Sequence, residues 1–211
     1  MKIAILGATG WIGSTLVNEA RERGHDVIAI ARNPNAIERD DVEKRPFDVR
    51  QPHNLAQTFQ DSDYVIAAVG GRANNDHSIV AETAQLLLTQ LANVGVKRLL
   101  WVGGAGSLEV APDVKLVTVP EFPEEYKAEA LAQSDALDQF RSLSSDVDWT
   151  FVSPAAEIFP GEKRHQYRVG GDQLLSDDEG KSQISVADYA AALLDVLETN
   201  QYLNQRIGVA Y

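Results

Sequence analysis

Short apolar runs that stop at glycine alternate with amphipathic stretches along most of the chain. The run Ile3–Leu6 stops at Gly7, as expected for a parallel strand that is buried on both faces. The next stretch, Trp11–Arg23, has an apolar residue at every fourth position, which predicts a helix with one buried face. Gly24 is typical of the position just after a helix, and Val27–Ala31 predicts the second strand. Such a unit places its two strands in parallel with a right-handed crossover.

The same alternation continues towards the end of the chain. Further strands are predicted at Tyr64–Val69, Arg98–Val102, Trp149–Val152 and Arg206–Tyr211. Further helices are predicted at Ser78–Ala92, Glu124–Ser142 and Val186–Glu198. Ser185 and Asp188 have the spacing of a capping box and open the last of these helices. The predicted fold class is therefore α/β, with a doubly wound parallel sheet.

The alternation lapses after Pro154. Glycines punctuate short runs such as Gln166–Val169 and Gln173–Leu175, which predicts loops or small hairpins. We therefore expect a single domain over residues 1–211, in which residues 155–185 form a small elaboration on the substrate side of the sheet.

The composition limits the classes of partner. The 211 residues carry a formal net charge of −12, which argues against nucleic acid because such binding depends largely on phosphate neutralisation. No apolar run is long enough for a signal peptide or a membrane span, and the absence of cysteine fits a reducing compartment, so we expect a soluble, cytoplasmic protein. The four histidines lack ligand spacing, so no metal site is predicted. Both a monomer and a homodimer remain open.

The turn after the first strand carries glycine at every third position, at Gly7, Gly10 and Gly13. A bound pyrophosphate needs bare backbone and free amide groups at a helix N-terminus, and glycines supply both a tight turn and close approach. The turn follows a predicted strand and opens a predicted amphipathic helix, which is the context that distinguishes a dinucleotide site from a chance glycine pattern. The alternative is a turn kept small only for packing.

A basic residue follows the second strand, at the position that sets the preference for NAD or NADP in dinucleotide-binding folds. Folds that prefer NAD place an acidic residue after the second strand, where it binds the ribose 2′-hydroxyl. This chain has Arg32 at that point, which would pair with a 2′-phosphate. The sequence therefore favours NADP(H) over NAD(H), against the alternative of a solvated surface arginine.

Five segments together resemble the atypical short-chain dehydrogenase/reductases. They are Gly7–Gly13 with Arg32, Phe47–Val49, Val102–Ser107, Trp149–Pro154 and Ile184–Ala190. The chain is similar within that family to the NAD(P)H-binding proteins often named NADH-flavin reductases, and to the biliverdin reductase B/flavin reductase type. The resemblance spans essentially the whole chain and implies an NAD(P)-binding Rossmann fold.

The resemblance also implies which positions contact the cofactor. The turn residues Gly7, Thr9, Gly10, Trp11, Ile12 and Gly13 would hold the pyrophosphate, and Arg32 the adenosine ribose. Asp48 and Val49 would lie against the adenine. Ala68, Val69, Gly70 and Arg72 would pass beside the adenine ribose and pyrophosphate. The nicotinamide half would lie against Gly103, Gly104, Ser153, Pro154 and Ala155.

The chain departs from the catalytic members of that family at their tyrosine-and-lysine motif, Tyr-x-x-x-Lys. Here Tyr126 and Lys127 are adjacent, and Ala130 stands where the lysine belongs. Adjacent helical residues point about 100° apart, so these two side chains cannot stack one turn apart. The remaining candidate catalytic residues are Ser107, Lys127 and His165, the last because a histidine can act as an acid near neutral pH.

A conjugated acceptor reduces the need for a protein acid. Hydride transfer to a flavin mainly requires stacking and distance, and FMN or FAD would then be a substrate rather than a prosthetic group. Six residues of the glycine-punctuated region are candidates to line the acceptor site: Phe159, Lys163, Arg164, His165, Tyr167 and Arg168.

Three functions are therefore weighed. The leading one is NADPH-dependent reduction of a flavin-like or quinone-like small molecule. The second is a non-catalytic NADP(H) sensor similar to the NmrA-like regulators, which the missing tyrosine-and-lysine motif favours. A nucleotide-sugar epimerase or dehydratase ranks lowest, because that chemistry needs the tyrosine base and a larger sugar-binding region.

Overall fold

In a computed structural model that describes residues 1–211, the chain is organised around one eight-stranded sheet. The strands, in chain order, are β1 (Lys2–Leu6), β2 (Asp26–Ala31), β3 (Glu43–Pro46), β4 (Tyr64–Ala67), β5 (Arg98–Val102), β6 (Glu109–Ala111), β7 (Val114–Lys115), β8 (Asp148–Ser153), β9 (Glu157–Phe159), β10 (Arg168–Gly170), β11 (Gln183–Ser185) and β12 (Gln205–Ala210). The helices are α1 (Trp11–Glu22), α2 (Leu55–Phe59), α3 (Ser78–Gln90), α4 (Glu124–Ser142) and α5 (Val186–Thr199). No helix combines the length and the apolar composition that crossing a membrane requires.

The strand order of the large sheet is β10-β12-β8-β5-β4-β1-β2-β3. Its neighbouring strands are parallel, except that β10 runs antiparallel to β12. The chain builds outwards from β1 through β2 to β3, and then crosses to β4 on the other side of β1. The carboxyl ends of β1 and β4 therefore flank the topological switch point, where folds of this kind bind ligands. The predicted doubly wound parallel sheet is confirmed.

Both faces of the sheet are buried, which explains why its central strands are apolar throughout. Helices α1 and α5 cover one face with a core of 26 buried residues, and α3 and α4 belong to a core of 24 on the other. An aromatic cluster seats the end of α4, where Phe140 contacts Trp101, Trp149 and Phe151 edge-to-face at centroid distances of 5.1–5.6 Å. One end of α4 is thus fixed on β5 and β8, and its other end extends past the carboxyl edge of the sheet.

One predicted strand is shorter than expected, and residues 155–185 follow the loop alternative rather than the hairpin alternative. The strand predicted to reach Val69 ends at Ala67, because the chain turns away towards the switch point. The region 155–185 contains no local hairpin. Strand β9 pairs in parallel with β11, and β10 pairs with β12, since these short strands find partners far along the chain. The hairpin β6–β7 and strand β3 were not predicted.

Candidate functional site

The glycine turn after β1 is closed by two contacts that no larger residue would allow. Gly7 has φ = +84°, and a Cβ placed on it would lie 2.1 Å from the carbonyl oxygen of Ala68. A Cβ on Gly13 would lie 2.0 Å from the carbonyl oxygen of Gly7. Both obstacles are backbone atoms that cannot rotate aside, so α1 approaches β1 and β4 only because these positions are glycine.

Gly10, the middle glycine of the turn, leaves the N-terminus of α1 without a side-chain cap. Gly10 is the N-cap residue, no side chain bonds to the helix there, and the first turn holds no acidic residue. The first amide groups of a helix have no intrahelical acceptor, and they attract an anion. A Cβ on Gly10 would meet only the Gly7 carbonyl oxygen, at 3.3 Å, so its outer side is open space. This arrangement suits a phosphate group held by backbone amides.

A cleft of about 320 Å³ opens from this turn along the carboxyl ends of β1–β4. Eight of the residues predicted to bind a cofactor line it: Gly7, Thr9, Gly10, Arg32, Val49, Ala68, Val69 and Gly70. They come from four loops that are distant in sequence and meet because their strands are parallel neighbours. The cleft follows the path that an adenosine and a pyrophosphate would take across the switch point.

Arg32 stands at one end of the cleft, directly after β2. Its Nη1 donates to the side-chain oxygen of Asn74 at 2.5 Å, in the amide orientation that satisfies both groups. Both side chains are exposed, so the guanidinium keeps donors free for a ligand anion. The one acidic residue of the lining is Asp76, which is already paired with Arg50. The Arg50 guanidinium outweighs desolvation and lowers the pKa of the Asp76 carboxyl.

Sequence reasoning missed most of one wall of the cleft. The loop and short 3₁₀ turn that follow β4 supply Gly71, Ala73, Asn74 and Asp76, and the start of α3 supplies Ile79. Gly70 was expected from the resemblance, but no local pattern indicates the 3₁₀ turn, whose loop is held by a bond from the Gly71 amide to α4. Phe47, at the end of β3, was noticed only as part of a family motif.

Two of the predicted adenosine contacts have structural partners. The Asp48 carboxylate accepts from the amide of Arg50 at 3.0 Å and so caps its own loop. The Arg72 guanidinium lies 4.8 Å from the ring centroid of Tyr126 on α4, a cation–π distance. Neither residue lines the cleft, and their contact with a cofactor stays a prediction.

The remaining predicted contacts flank the cleft at the start of α1 and at the ends of β5 and β8. Trp11, Ile12 and Gly13 form the first turn of α1, where the Trp11 indole is 46% exposed. Gly103 and Gly104 follow β5, whereas Ser153, Pro154 and Ala155 end and follow β8. The residues after β5 and β8 lie close together because these strands are parallel neighbours. Neither they nor the first-turn residues of α1 line the cleft itself.

Two serines on this side have buried hydroxyl groups without a hydrogen-bond partner. They are Ser153 at the end of β8 and the predicted catalytic residue Ser107 after β5. Buried hydroxyls are nearly always paired in native proteins, so each is available to a water or a ligand group. A Cβ on Gly103 would overlap the Phe151 ring at 2.1 Å, which keeps the backbone bare between these two strands.

The adjacent pair Tyr126 and Lys127 lies on the first turns of α4, and its members point apart. Tyr126 is 44% exposed under the Arg72 guanidinium, and Lys127 pairs with Glu124 at 3.4 Å. Ala130 is buried against Gly106 and leaves no lysine at the following turn. The described helix therefore presents no stacked tyrosine and lysine. A catalytic role for Lys127 stays a prediction.

The six residues proposed for an acceptor site have mainly structural partners instead. Lys163 pairs with Glu19 of α1 and Tyr167 with Asp195 of α5, while Phe159, Arg164 and Arg168 contact the terminal Tyr211. None of the six lines the cleft, and the segment is bonded to α1 and α5 through Glu19, Asp188 and Asp195. A contact between these residues and an acceptor stays a prediction.

The buried Asp188 carboxylate explains the path of this segment. It accepts from the amides of Arg164 and His165 at 2.8–3.0 Å and from the Tyr211 hydroxyl at 2.7 Å. Burial opposes its ionisation, but these hydrogen bonds outweigh burial and lower its pKa. Ser185 does cap α5 by accepting from the Asp188 amide at 3.0 Å, as predicted. His165 itself adopts φ = +55° with an exposed side chain, and its catalytic role stays a prediction.

Comparison with known proteins agrees with this geometry. A family model described as NAD(P)H-binding matches residues 7–200 of the chain. The chain belongs to this NAD(P)H-binding family. It is 40% identical over 99% of its length to YwnB of Bacillus subtilis, an uncharacterised protein of which the match covers 98%.

Two solved structures share the whole fold. A putative exported protein of Burkholderia pseudomallei is 42% identical with a TM-score of 0.90, and the match covers 100% of both chains. SP1627 of Streptococcus pneumoniae, named as a putative NADH-flavin reductase, is 35% identical with a TM-score of 0.87 over 100% of this chain and 99% of its own. The predicted resemblance to NAD(P)H-binding proteins of the NADH-flavin reductase group is confirmed.

Proposed function

We propose that this member of the NAD(P)H-binding family is an NADPH-dependent reductase of a flavin-like or quinone-like small molecule. The observation that carries the proposal is the cleft itself. At one point it offers the uncapped N-terminus of α1, and at its end it offers an exposed arginine, Arg32. A pyrophosphate suits the first feature and a 2′-phosphate the second. The similarity to SP1627, which is named as a putative NADH-flavin reductase, supports the acceptor class.

The protein's part in such a reaction is mainly to bind and orient. Bound NADPH would supply a hydride, and the oxidised acceptor would gain that hydride and one proton to become the two-electron-reduced product. Amides of the first turn of α1 would hold the pyrophosphate, and Gly103 and Gly104 would lie against the nicotinamide half of the cofactor. Because no tyrosine and lysine stack on α4, the proton comes from solvent or from His165.

Steady-state oxidation of NADPH by the purified chain, with FMN, riboflavin or a soluble quinone, tests the proposal. A substitution of Gly10 provides the matched control. Gly10→Asp adds an N-cap that satisfies α1 amides and places a carboxylate where the pyrophosphate charge belongs. Gly10→Asn adds the same shape without the charge.

We expect NADPH oxidation with at least one acceptor in the unmodified chain, and loss of NADPH binding in Gly10→Asp with its melting temperature retained. Gly10→Asn should bind NADPH more tightly than Gly10→Asp. If NADPH binds but no flavin or quinone is reduced above background, the reductase proposal fails.

A regulatory sensor of NADP(H) is the second candidate. The side chains of Tyr126 and Lys127 point apart on α4 and form no catalytic pair, which favours this candidate because a sensor needs no proton donor. A sensor should bind NADP⁺ and NADPH with clearly different affinities and capture a partner protein in only one of these states. Equal affinities combined with flavin turnover would exclude it.

A further inference from the structure

One wall of the cleft depends on a neighbouring helix for its position. The wall runs from Val69 to Asp76 and consists of a loop and one short 3₁₀ turn, so it has few backbone bonds of its own. Most of its residues are exposed. Loops with so few internal bonds need external contacts to keep one conformation. These contacts come from the part of α4 that extends past the sheet.

Glu129 of α4 makes the central contact. Its Oε2 accepts from the amide of Gly71 at 2.9 Å and from Nδ1 of His77 at 2.9 Å. The side chain is only 12% exposed, and that of His77 is 22% exposed. One carboxylate oxygen therefore connects the beginning of the wall to the residue just beyond its end.

The contact extends into the core through Gln133, one turn further along α4. Its Nε2 donates to the carbonyl oxygen of Val69 at 3.0 Å, and its Oε1 accepts from Nε1 of the buried Trp101 at 3.0 Å. The same Nε2 lies 3.4 Å from Glu129 Oε1. Gln133 thus links the rigid strand β5 to the first residue of the wall, and Glu129 continues that link to its far end.

The glycines of the wall fit this carboxylate closely. A Cβ on Gly70 would lie 3.0 Å from Glu129 Oε1, and a Cβ on Gly71 would lie 2.8 Å from His77 Nδ1. The glycine pair that follows β4 therefore admits Glu129 and His77 as well as a ligand. Gly70 and Gly71 both line the cleft on their other side.

We infer that Glu129 is a positioning residue for the dinucleotide, acting through Gly71 and His77. It holds the wall at the spacing that the cofactor requires, and its negative charge strengthens both hydrogen bonds. The inference rests on dinucleotide binding in the cleft and not on the identity of the acceptor.

The test compares NADPH affinity among folded variants by fluorescence or calorimetric titration. In Glu129→Ala both hydrogen bonds are lost, so the Kd for NADPH should rise about tenfold. In Glu129→Gln a neutral oxygen can still accept from both donors, so the Kd should rise only about threefold. Glu125→Ala removes an exposed glutamate of the same helix and should leave the Kd unchanged.

Two further measurements separate positioning from a general role in folding. If Glu129 acts through His77, the double variant Glu129→Ala/His77→Ala should have a smaller rise in the NADPH Kd than the product of the rises in the two single variants. Amide exchange at Gly71 should accelerate in Glu129→Ala, while exchange in β5 stays unchanged.

A folded Glu129→Ala whose Kd for NADPH stays within twofold of the unmodified chain overturns the inference. If that variant does not fold, a Glu129→Gln variant with an unchanged Kd overturns it in the same way. A chain that binds NADPH yet reduces no acceptor would end the proposed function and leave these binding measurements valid.

Discussion

Replacement of Arg32 by alanine should weaken NADPH binding and spare NADH binding. Arg32 follows β2 at the end of the cleft, and the Asn74 side chain orients its guanidinium at 2.5 Å. NADPH differs from NADH only by the 2′-phosphate, so an effect that requires this group must appear with NADPH alone. The substitution removes a charge from an exposed position and leaves the buried core untouched.

The expected loss of NADPH binding free energy in Arg32→Ala follows from the exposure of the Arg32 guanidinium. Two unit charges about 4 Å apart interact by about 1 kcal/mol in water and by about 4 kcal/mol where the effective dielectric constant is about 20. Arg32 is exposed, so the lower value applies, and a phosphate carries about 1.5 to 2 charges. The loss should therefore be about 2 kcal/mol, which corresponds to a Kd for NADPH about 30-fold higher.

Isothermal titration with both cofactors at low and high salt measures this effect. The Kd for NADH should stay within twofold, and the loss of NADPH affinity should shrink at high salt because screening weakens exposed charge pairs. Arg39→Ala is the matched control, since Arg39 is a nearby arginine that pairs with Asp41 away from the cleft. If Arg32→Ala weakens both cofactors equally, the assignment of Arg32 to the 2′-phosphate is refuted.

Three more predictions concern the fold around the cleft. Gly13→Ala places a Cβ 2.0 Å from a backbone oxygen, so it should lower the melting temperature and abolish NADPH binding, whereas Gly171→Ala, with open space around it, should do neither in thermal melts and titrations. Asp188→Asn should cost about 2–4 kcal/mol in urea unfolding at pH 7 through weaker hydrogen bonds. Because the folded-state pKa of Asp188 is lowered, its contribution is complete above the ordinary value near pH 4 and is lost as the pH falls through the lowered value. The difference between this variant and the unmodified chain should therefore narrow below about pH 4, and a constant difference would contradict the role of its charge. Arg98→Leu should cost about 3 kcal/mol, because the buried guanidinium bonds to Val196 and Thr150, and a calorimetric melt within 1 °C of the unmodified chain would contradict this.

The parts of the molecule that the sequence predicted well are those set by local chemistry. In the glycine turn, Gly13 is required by its contact with the nearby Gly7 carbonyl, and only the contact of Gly7 with Ala68 involves a residue distant in sequence. The strands that form the sheet centre are apolar runs because helices cover both faces. Arg32 could be placed because it directly follows a strand whose end was clear. Periodicity and glycine positions were therefore sufficient for the fold, the glycine turn and Arg32, whereas Val49, Ala68, Val69 and Gly70 were expected only from the family resemblance.

The parts that were missed are positioned by distant residues. Strand β3 consists of Glu43, Lys44, Arg45 and Pro46, which have no strand-like alternation and pair only because β2 lies beside them. Glu129 and His77 meet across 52 positions, so no spacing in the sequence could join them. The segment around His165 is held by hydrogen bonds from its amides to the buried Asp188 carboxylate. The sequence indicated only the capping box of Ser185 and Asp188, and not these bonds to a distant segment.

The two edges of the sheet restrict how copies of this chain can associate. At one edge, β3 has four residues, three of them charged, and it ends in a proline that cannot donate to a further strand. At the other edge, β10 has only three residues and runs against the direction of its neighbours. Neither edge is a good template for a strand from a second molecule, so association of two copies should leave the sheet eight strands wide.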